Sequence, residues 1–433
     1  MNAFSGGAPG PAQAAPRERS FLFLQGPISP YFAEVAAGLQ ALGHRVHRVN
    51  LCLGDRLFWP AGQPLPRAED YTGTAGGWPG WIDAFMERHA VTDVLLLGEQ
   101  RGMHQAAIRA AKARGAQVVV TDFGYFRPDW ITLERDAMGG GSRFPRNPAE
   151  ILALAEGLPP AELHQDFRDD FRRQAAWDVL YHVANLVPGP FRHYRSHQLH
   201  HPLATYAGIG RRLLARRAER AEGARALAEV QAAAGYWLFA MQMETDFSLR
   251  AYSRYADLDQ PIREVLESFA LHAEPRTRLL FKIHPLDPCL KSWPARVRRM
   301  AAELGVEDRI AVVRHGPLDD MIAAARGTVT VNSTVGLRAL TMGCPVIALG
   351  DAVYRVPGLT WDGGLDRFWA EATPPDPALR DAFLAALQAC TQLRGVFYAP
   401  EGRAEAVRGT VLRLHAGRVG APLTPAPRET ASA

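Results

Sequence analysis

The feature that most constrains this chain is a repeated alternation of short apolar runs with segments whose apolar residues recur at helical spacing. Residues 21–24 form an apolar run that stops at Gly26, and residues 31–42 then follow a helical pattern. Gly43 closes this helix, and a second apolar run covers residues 46–51. The pattern predicts a β-α-β unit, whose two strands lie parallel in one sheet.

The same alternation continues along the chain. Two predicted strands, 93–97 and 117–121, flank a predicted helix at 104–113, and the segment 148–234 has helical patterns without a strand. The second half alternates more regularly. Its predicted strands are 236–241, 278–283, 310–313, 328–332 and 345–348, and its predicted helices are 262–273, 295–304, 318–325 and 335–342.

Length and alternation together predict an α/β protein of two Rossmann-like domains, and by analogy with other proteins of two such domains we expect them to face each other across a cleft. The chain has 433 residues, which is more than one hydrophobic core usually serves. We expect the first domain, with a helical insertion, at 19–234 and the second at 235–419. The stretches 1–18 and 420–433 are rich in Gly, Ala and Pro and are predicted to be disordered.

Composition excludes several classes of protein. Apolar residues make up 47% of the chain, yet no apolar run reaches the roughly 18 to 20 residues of a membrane span. The four cysteines lie far apart without CxxC spacing, which argues against a zinc knuckle or a disulfide framework. We therefore expect a cytoplasmic protein that can attach peripherally to the inner membrane.

The net charge of +4 arises partly from an arginine-rich segment at 211–220. At helical spacing such a segment is more often a solvated face, and the alternative is attraction to anionic lipid head groups. No zinc finger, RNA-binding signature or helix-turn-helix pattern accompanies the charge, so nucleic acid is not an expected partner.

Ligands of open α/β sheets bind beyond the carboxyl ends of the strands, and two polar motifs lie there in the second half. The first is residues 332–336, which can cap a helix and offer free backbone N–H groups to a phosphate. The second is residues 282–287, again at the end of a predicted strand. The candidate phosphate-binding residues are Asn332, Ser333, Thr334, Gly336, Lys282, His284 and Pro285.

A third motif follows the predicted strand 117–121 in the first half. The loop predicted at 121–134 concentrates four charged residues beside Tyr125, Phe126 and Trp130, which favours a lining of the cleft over a solvated loop. Its charged residues are Asp122, Arg127, Asp129 and Glu134.

These motifs, in this order, resemble the capsular polysaccharide biosynthesis and export proteins that are similar to β-Kdo transferases. The resemblance covers most of the chain and is carried by residues 23–27, 54–55, 124–128, 142–146, 201–203, 282–287, 332–336 and 354–360. It implies a GT-B glycosyltransferase with an N-terminal acceptor domain and a C-terminal donor domain. It also implies transfer of Kdo from CMP-Kdo to a phosphatidylglycerol-type lipid or its Kdo linker, in contact with other capsule synthesis or export proteins.

The resemblance assigns roles to the candidate residues. By this resemblance His284-Pro285 and the turn at Ser333 and Thr334 would hold the CMP phosphate. Our own candidates for substrate contacts are Gly26, Arg127 and Asp129. The nucleotide sugar is a substrate, so no cofactor is expected. No DxD motif occurs in the expected loop, and we predict no metal requirement.

One departure from the family pattern bears on catalysis. Similar transferases carry two acidic residues before the glycine of the first-domain loop, whereas this chain has Asp122-Phe123. The catalytic carboxylate is then Asp122, or alternatively Glu134 or Asp129. A transferase or epimerase using another sugar nucleotide, and a capsule assembly or export factor without catalysis, remain alternatives.

Overall fold

The computed structural model describes residues 18–60, 65–187 and 189–422. Of the tails predicted to be disordered, 1–17 and 423–433 lie outside the described residues. Within the described ranges, no helix combines the length and the hydropathy that a membrane span requires.

The first sheet has seven strands among the described residues. They are β1 (Ser20–Phe23), β2 (Arg45–Asn50), β3 (Glu69–Asp70), β4 (Asp93–Leu97), β5 (Gln117–Phe123), β6 (Trp130–Arg135) and β12 (Gln392–Arg394). Their order is β12-β6-β5-β4-β1-β2-β3. The strands from β1 to β5 pair in parallel, whereas β6 is antiparallel to both β5 and β12.

The second sheet is parallel throughout. Its strands are β7 (Tyr236–Ala240), β8 (Arg278–Lys282), β9 (Ile310–Val313), β10 (Gly327–Thr330) and β11 (Val346–Ala348). They lie in the order β11-β10-β7-β8-β9. The carboxyl ends of all five strands therefore meet at one edge of this sheet.

Helices cover both sheets, because strands that are apolar on both faces have to be shielded from water on each side. The helices of the first half are α1 (Tyr31–Ala41), α2 (Leu53–Leu57), α3 (Trp78–Arg88), α4 (Gly102–Ala113), α5 (Pro148–Ala155), α6 (Phe171–Ala184) and α7 (Pro202–Gln231). Those of the second half are α8 (Phe247–Ala251), α9 (Asp259–His272), α10 (Trp293–Glu303), α11 (Leu318–Ala323), α12 (Thr334–Thr341), α13 (Leu365–Glu371), α14 (Pro377–Thr391) and α15 (Pro400–His415).

The predicted fold class, with two Rossmann-like α/β units facing a cleft as in GT-B enzymes, is confirmed by this arrangement. One local prediction is wrong. Residues 121–134 are not a single loop, because β5 runs on to Phe123 and the chain returns as β6. Asp122 and Glu134 consequently lie on two antiparallel strands.

The C-terminal part of the chain returns to the first sheet. β12 pairs with β6, and α15 packs on α1, where the hydroxyls of Tyr31 and Thr410 lie 2.6 Å apart. The range 235–419, predicted as one domain, thus includes segments that the structure attaches to the first sheet. A strand as short as β12 carries no periodic signal in the sequence.

A buried ion pair ties this returning strand to the hairpin of β5 and β6. Arg394 Nη1 lies 3.2 Å from Asp129 Oδ2, and the Asp129 side chain is only 2% exposed. The same carboxylate oxygen accepts hydrogen bonds from the backbone N–H groups of Asp166, at 2.6 Å, and Phe167, at 3.2 Å. Asp129 therefore stabilises the fold at this position, whereas the sequence had suggested a substrate contact.

Asp129→Ala should destabilise the protein by about 2 kcal/mol, because it leaves the backbone N–H groups of Asp166 and Phe167 unpaired and removes the most buried carboxylate partner of Arg394. Urea denaturation followed by circular dichroism measures this loss. Asp381→Ala is the matched control, since that carboxylate is 68% exposed in its pair with Arg380, and its effect should stay within about 0.5 kcal/mol. An Asp129→Ala protein as stable as the control would contradict the structural role.

Candidate active site

Hydrogen bonds at Tyr252 join the two units at the carboxyl edge of the first sheet. The Tyr252 hydroxyl, just after α8, donates a hydrogen bond to Glu99 Oε1, just after β4. Gln100 Nε2 donates to the same hydroxyl at 2.9 Å. Because Glu99 follows the carboxyl end of a strand of the first sheet, this contact holds that edge against the second unit.

Asp122 is the penultimate residue of β5 and is half-buried at this edge. Its Oδ1 accepts a hydrogen bond from the Phe123 N–H at 2.7 Å. Burial raises the pKa of Asp122 to about 6, although the nearby Arg127 and Arg101 guanidinium groups lower it. The negative charge of Asp246 acts in the opposite direction and raises the same pKa. Asp122 is thus a carboxylate that can take up a proton near neutral pH.

Three residues of this region were missed from the sequence. Asp246 follows β7 and caps α8, its Oδ1 accepting from the Ser248 N–H at 3.0 Å. Arg101 immediately precedes α4, and His197 lies in the segment between α6 and α7. The strand-end rule that found Asp122 could have found Asp246, but His197 has no such signal, because the described residues between α6 and α7 form neither strand nor helix.

His284 follows β8 in the second sheet, on the other side of the cleft. Its Nδ1 accepts a hydrogen bond from the Leu286 N–H at 3.1 Å, so the ring proton of the neutral imidazole is on Nε2. Burial lowers the pKa of His284 to about 4, and the charges of Arg127, Lys282 and Arg212 contribute to this shift. At neutral pH the side chain is therefore an uncharged hydrogen-bond donor.

Arg127 is the residue that links the two sides. Its guanidinium lies 5.6 Å from the centre of the Phe123 ring, and its Nε donates to Gly124 O at 3.4 Å. Its positive charge lowers the pKa of Asp122 in the first unit and that of His284 in the second. One exposed guanidinium therefore lies close enough to influence both groups.

Lys282 is the last residue of β8 and is buried, and its ammonium group is hydrogen-bonded to backbone carbonyls. Its Nζ donates to Ile283 O at 3.1 Å and to Arg314 O at 2.7 Å. Burial lowers the pKa of Lys282 to about 8, and the charge of Arg314 adds to the shift. Backbone carbonyls thus engage two of the three N–H donors of Lys282, and its contact with a phosphate stays a prediction.

The loop after His284 is held by the start of the basic segment. Arg212 donates to Pro285 O at 2.6 Å and to Asp287 O at 2.8 Å, and Arg211 donates to Cys289 O at 2.6 Å. These two arginines, predicted to lie on a solvated or lipid-facing helix, instead fix the loop that carries His284. The loop is therefore anchored from α7.

The turn at 332–336 forms the start of α12. Ser333 caps α12, its Oγ accepting from the Val335 N–H at 3.2 Å, and Thr334 is the first residue of that helix. Asn332 is engaged elsewhere, since its Oδ1 accepts from Gln242 Nε2 at 2.8 Å and its Nδ2 donates to Ser248 O at 2.8 Å. The N–H groups of Val335 and Gly336 are paired with Ser333 Oγ and, at 3.0 Å, with Ser333 O, so the phosphate contact of this turn stays a prediction.

Two glycines of the site make room for aromatic rings. A Cβ at Gly336 would lie 2.4 Å from the Tyr354 hydroxyl, which donates to Ser333 O at 2.6 Å. A Cβ at Gly26 would lie 2.4 Å from the Phe32 ring. Both positions are explained by packing, and the predicted substrate contact of Gly26 stays a prediction.

Glu134 is buried within the first unit. It pairs across β5 with Val120, three residues before the end of that strand, and is 3% exposed. Its carboxylate accepts hydrogen bonds from the Tyr125 hydroxyl at 2.5 Å and from the Ser142 hydroxyl. Burial raises the pKa of Glu134 to about 7 despite these two hydrogen bonds, and the charge of Glu99 adds to the rise. The alternative of Glu134 as catalytic carboxylate is therefore not favoured.

Glu134→Gln should raise the stability of the protein more at pH 8 than at pH 5. The pKa of Glu134 is higher in the folded state than its usual value of 4.5, so its contribution is fully present below that value and is lost as the pH rises through about 7. The difference in melting temperature between variant and wild type, measured across this range, should grow with pH. Glu229→Gln, at an exposed position of α7, is the control. A gap that does not change with pH would contradict the assignment.

Proteins of a known family match most of this chain. The family model described as capsule polysaccharide biosynthesis protein matches residues 92–398. The chain is 30% identical over 385 residues to the capsule polysaccharide export protein KpsS of Escherichia coli, covering 88% of this chain and 97% of that protein. It is 28% identical to the capsule polysaccharide modification protein LipB of Neisseria meningitidis, over 88% and 91% of the two chains.

Among solved structures, KpsC of Thermosulfurimonas dismutans, a β-Kdo 2,7 transferase, matches with 14% identity and a TM-score of 0.45, over 91% of this chain and 99% of that one. The family that the ordered motifs had indicated is confirmed by the family model and the relatives in sequence. The chain belongs to the capsule polysaccharide biosynthesis protein family.

Proposed function

We propose that the protein is a glycosyltransferase that transfers Kdo from CMP-Kdo to a phosphatidylglycerol-type lipid or to the Kdo linker on it. The family places the chain in capsule biosynthesis, and the GT-B arrangement suits a nucleotide sugar bound between the units. The observation that carries the proposal is that Asp122, at the carboxyl end of β5, and His284, just after β8, are each close enough to Arg127 to feel its charge.

The donor phosphate would bind on the second unit. His284 offers a neutral Nε2–H donor, and the turn at Ser333 and Thr334 follows β10, a parallel strand of the same sheet. Lys282 and Arg212 contribute positive charge near His284, whose pKa they lower. These donors would stabilise the charge that CMP carries away when its bond to the anomeric carbon breaks.

The acceptor hydroxyl would meet Asp122 on the first unit. Formation of the glycosidic bond releases the hydroxyl proton, and a carboxylate whose pKa is about 6 can accept it at neutral pH. The alternative role of the same carboxylate is attack on the anomeric carbon to form a glycosyl intermediate. Retention or inversion of the anomeric configuration in the product distinguishes these two roles.

A non-catalytic role in capsule assembly or export is the second candidate. Phe123 occupies the place where similar transferases carry their second acidic residue, and the E. coli relative bears the name of an export protein. This candidate requires that the purified protein neither bind nor turn over a CMP sugar. A transferase or epimerase of another class requires that UDP displace the bound nucleotide.

The deciding experiment incubates the purified protein with CMP-Kdo and a phosphatidylglycerol acceptor and analyses the lipid by mass spectrometry. A product heavier by one Kdo residue supports the proposal. Competition by CMP and UDP, measured by calorimetry, identifies the nucleotide. The predicted absence of a metal requirement is tested in the same assay with a chelator present.

His284→Ala should weaken CMP binding about tenfold, because it removes one hydrogen-bond donor to a charged phosphate. Calorimetric titration with CMP measures the effect. His272→Ala is the matched control, since that imidazole lies at the end of α9, where its Nε2 is 3.5 Å from Asp366. Equal CMP affinity in the two variants would overturn the donor site.

Asp122→Asn should abolish transfer and leave CMP affinity and melting temperature close to those of the wild type. The substitution keeps the size of the side chain and removes the group that accepts the proton. Initial rates with CMP-Kdo measure turnover for this variant and for Glu134→Gln, which should remain active. The reverse result, an active Asp122→Asn protein and an inactive Glu134→Gln protein, would assign the role to Glu134.

A further inference from the structure

The outer face of α6 exposes apolar side chains that a water-facing helix would not need. Val179, Leu180 and Val183 are 44%, 50% and 53% exposed, and their spacing places them on one face of the helix. Leu186 and Val187 continue the row beyond the end of the helix, at 55% and 66%. The opposite face is already used, because Tyr181 is buried.

Two further exposed leucines lie beside this row. Leu199 and Leu203, 50% and 59% exposed, flank the start of α7. This region is attached to α6 by the Tyr206 hydroxyl, which donates to Asp178 Oδ2 at 2.6 Å, and by a 3.0 Å hydrogen bond between Gln198 Nε2 and His182 Nε2. The seven residues form one surface, which we name the apolar ridge: Val179, Leu180, Val183, Leu186, Val187, Leu199 and Leu203.

The charged residues around the apolar ridge are mostly cationic, and the Asp178 carboxylate on the same helix already accepts a hydrogen bond from the Tyr206 hydroxyl. Positions 179–218 contain six arginines and five histidines but no Asp or Glu. Arg192 and Arg195 are exposed in the segment between α6 and α7, next to the ridge in sequence. Cations alone suit many acidic partners, whereas exposed leucines and valines among cations suit a surface that is both anionic and apolar beneath its head groups.

We propose that the apolar ridge, with Arg192 and Arg195, docks the protein on an anionic lipid bilayer. The surface differs from the start of the basic segment, where Arg211 and Arg212 donate hydrogen bonds to backbone carbonyls of the His284 loop. Valine and leucine side chains enter the boundary between head groups and acyl chains, and the two arginines bind lipid phosphates. Docking does not depend on catalysis, and only its benefit for a lipid acceptor rests on the proposed function.

The segment beside the apolar ridge contacts the second unit. His197, in the same segment as Arg192 and Arg195, has its ring centre 6.0 Å from that of Phe247. Phe247 directly follows Asp246, whose charge acts on Asp122. The segment that carries Arg192 and Arg195 therefore contacts α8 of the second unit, whose cap is Asp246.

Sedimentation with vesicles tests the proposal without any nucleotide. Vesicles of phosphatidylcholine mixed with phosphatidylglycerol should bind the wild-type chain, and vesicles of phosphatidylcholine alone should bind it weakly. Arg192→Gln with Arg195→Gln should weaken binding to the anionic vesicles about 30-fold, with a smaller effect at high salt. Leu180→Ser, Val183→Ser and Leu186→Ser together should weaken it roughly tenfold or more.

Matched variants elsewhere on the surface serve as controls. Arg109→Gln with Arg276→Gln removes two exposed arginines, and Leu271→Ser removes a leucine that is 79% exposed. Neither should change vesicle binding by more than about twofold. Circular dichroism confirms that each variant is folded.

Wild-type protein that ignores anionic vesicles would overturn the proposal, as would ridge variants that bind like their controls. Because CMP binding is measured separately and uses none of these residues, loss of vesicle binding with intact CMP binding rejects the docking surface alone. Loss of CMP binding with intact vesicle binding rejects the donor site alone.

Discussion

The relative position of the two units depends on the hydrogen bond between Tyr252 and Glu99, which joins the carboxyl edge of the first sheet to the second unit. The same tyrosine packs on the segment after β6, since a Cβ at Gly140 would lie 2.6 Å from the Tyr252 Cβ. One aromatic side chain thus contacts two separate parts of the first unit. Only with the units in this relation can Arg127 act on His284 as well as on Asp122.

Desolvation sets the protonation of the two central groups in opposite directions. It raises the pKa of Asp122 and lowers that of His284, so both are biased toward their uncharged forms. An anionic phosphate at His284 would oppose the effect of Arg127 on the imidazole and strengthen its hydrogen bond. The charge on the ligand and the charges on the protein are therefore complementary in the cleft.

Much of this arrangement could be predicted from the sequence, because apolar periodicity and strand-end position are local properties. The strands before His284 and Ser333 were found in this way. The hairpin of β5 and β6 was not, since buried polar residues such as Thr132 and Glu134 interrupt the apolar run of β6. Strand-end position also does not tell which polar groups face a ligand: Lys282 and Asn332 meet the criterion, but backbone carbonyls and neighbouring side chains engage them.

The return of the chain to the first sheet bears on how the protein is made. The face of α1 around Tyr31 stays uncovered until α15 has been synthesised, nearly four hundred residues later, because Thr410 lies on that last helix. During translation the first unit therefore cannot complete its core before the second unit has emerged, although domains usually fold one after another from the N-terminus. The partly built first sheet would expose apolar surface to the cell throughout this interval, which makes it a natural client for chaperones.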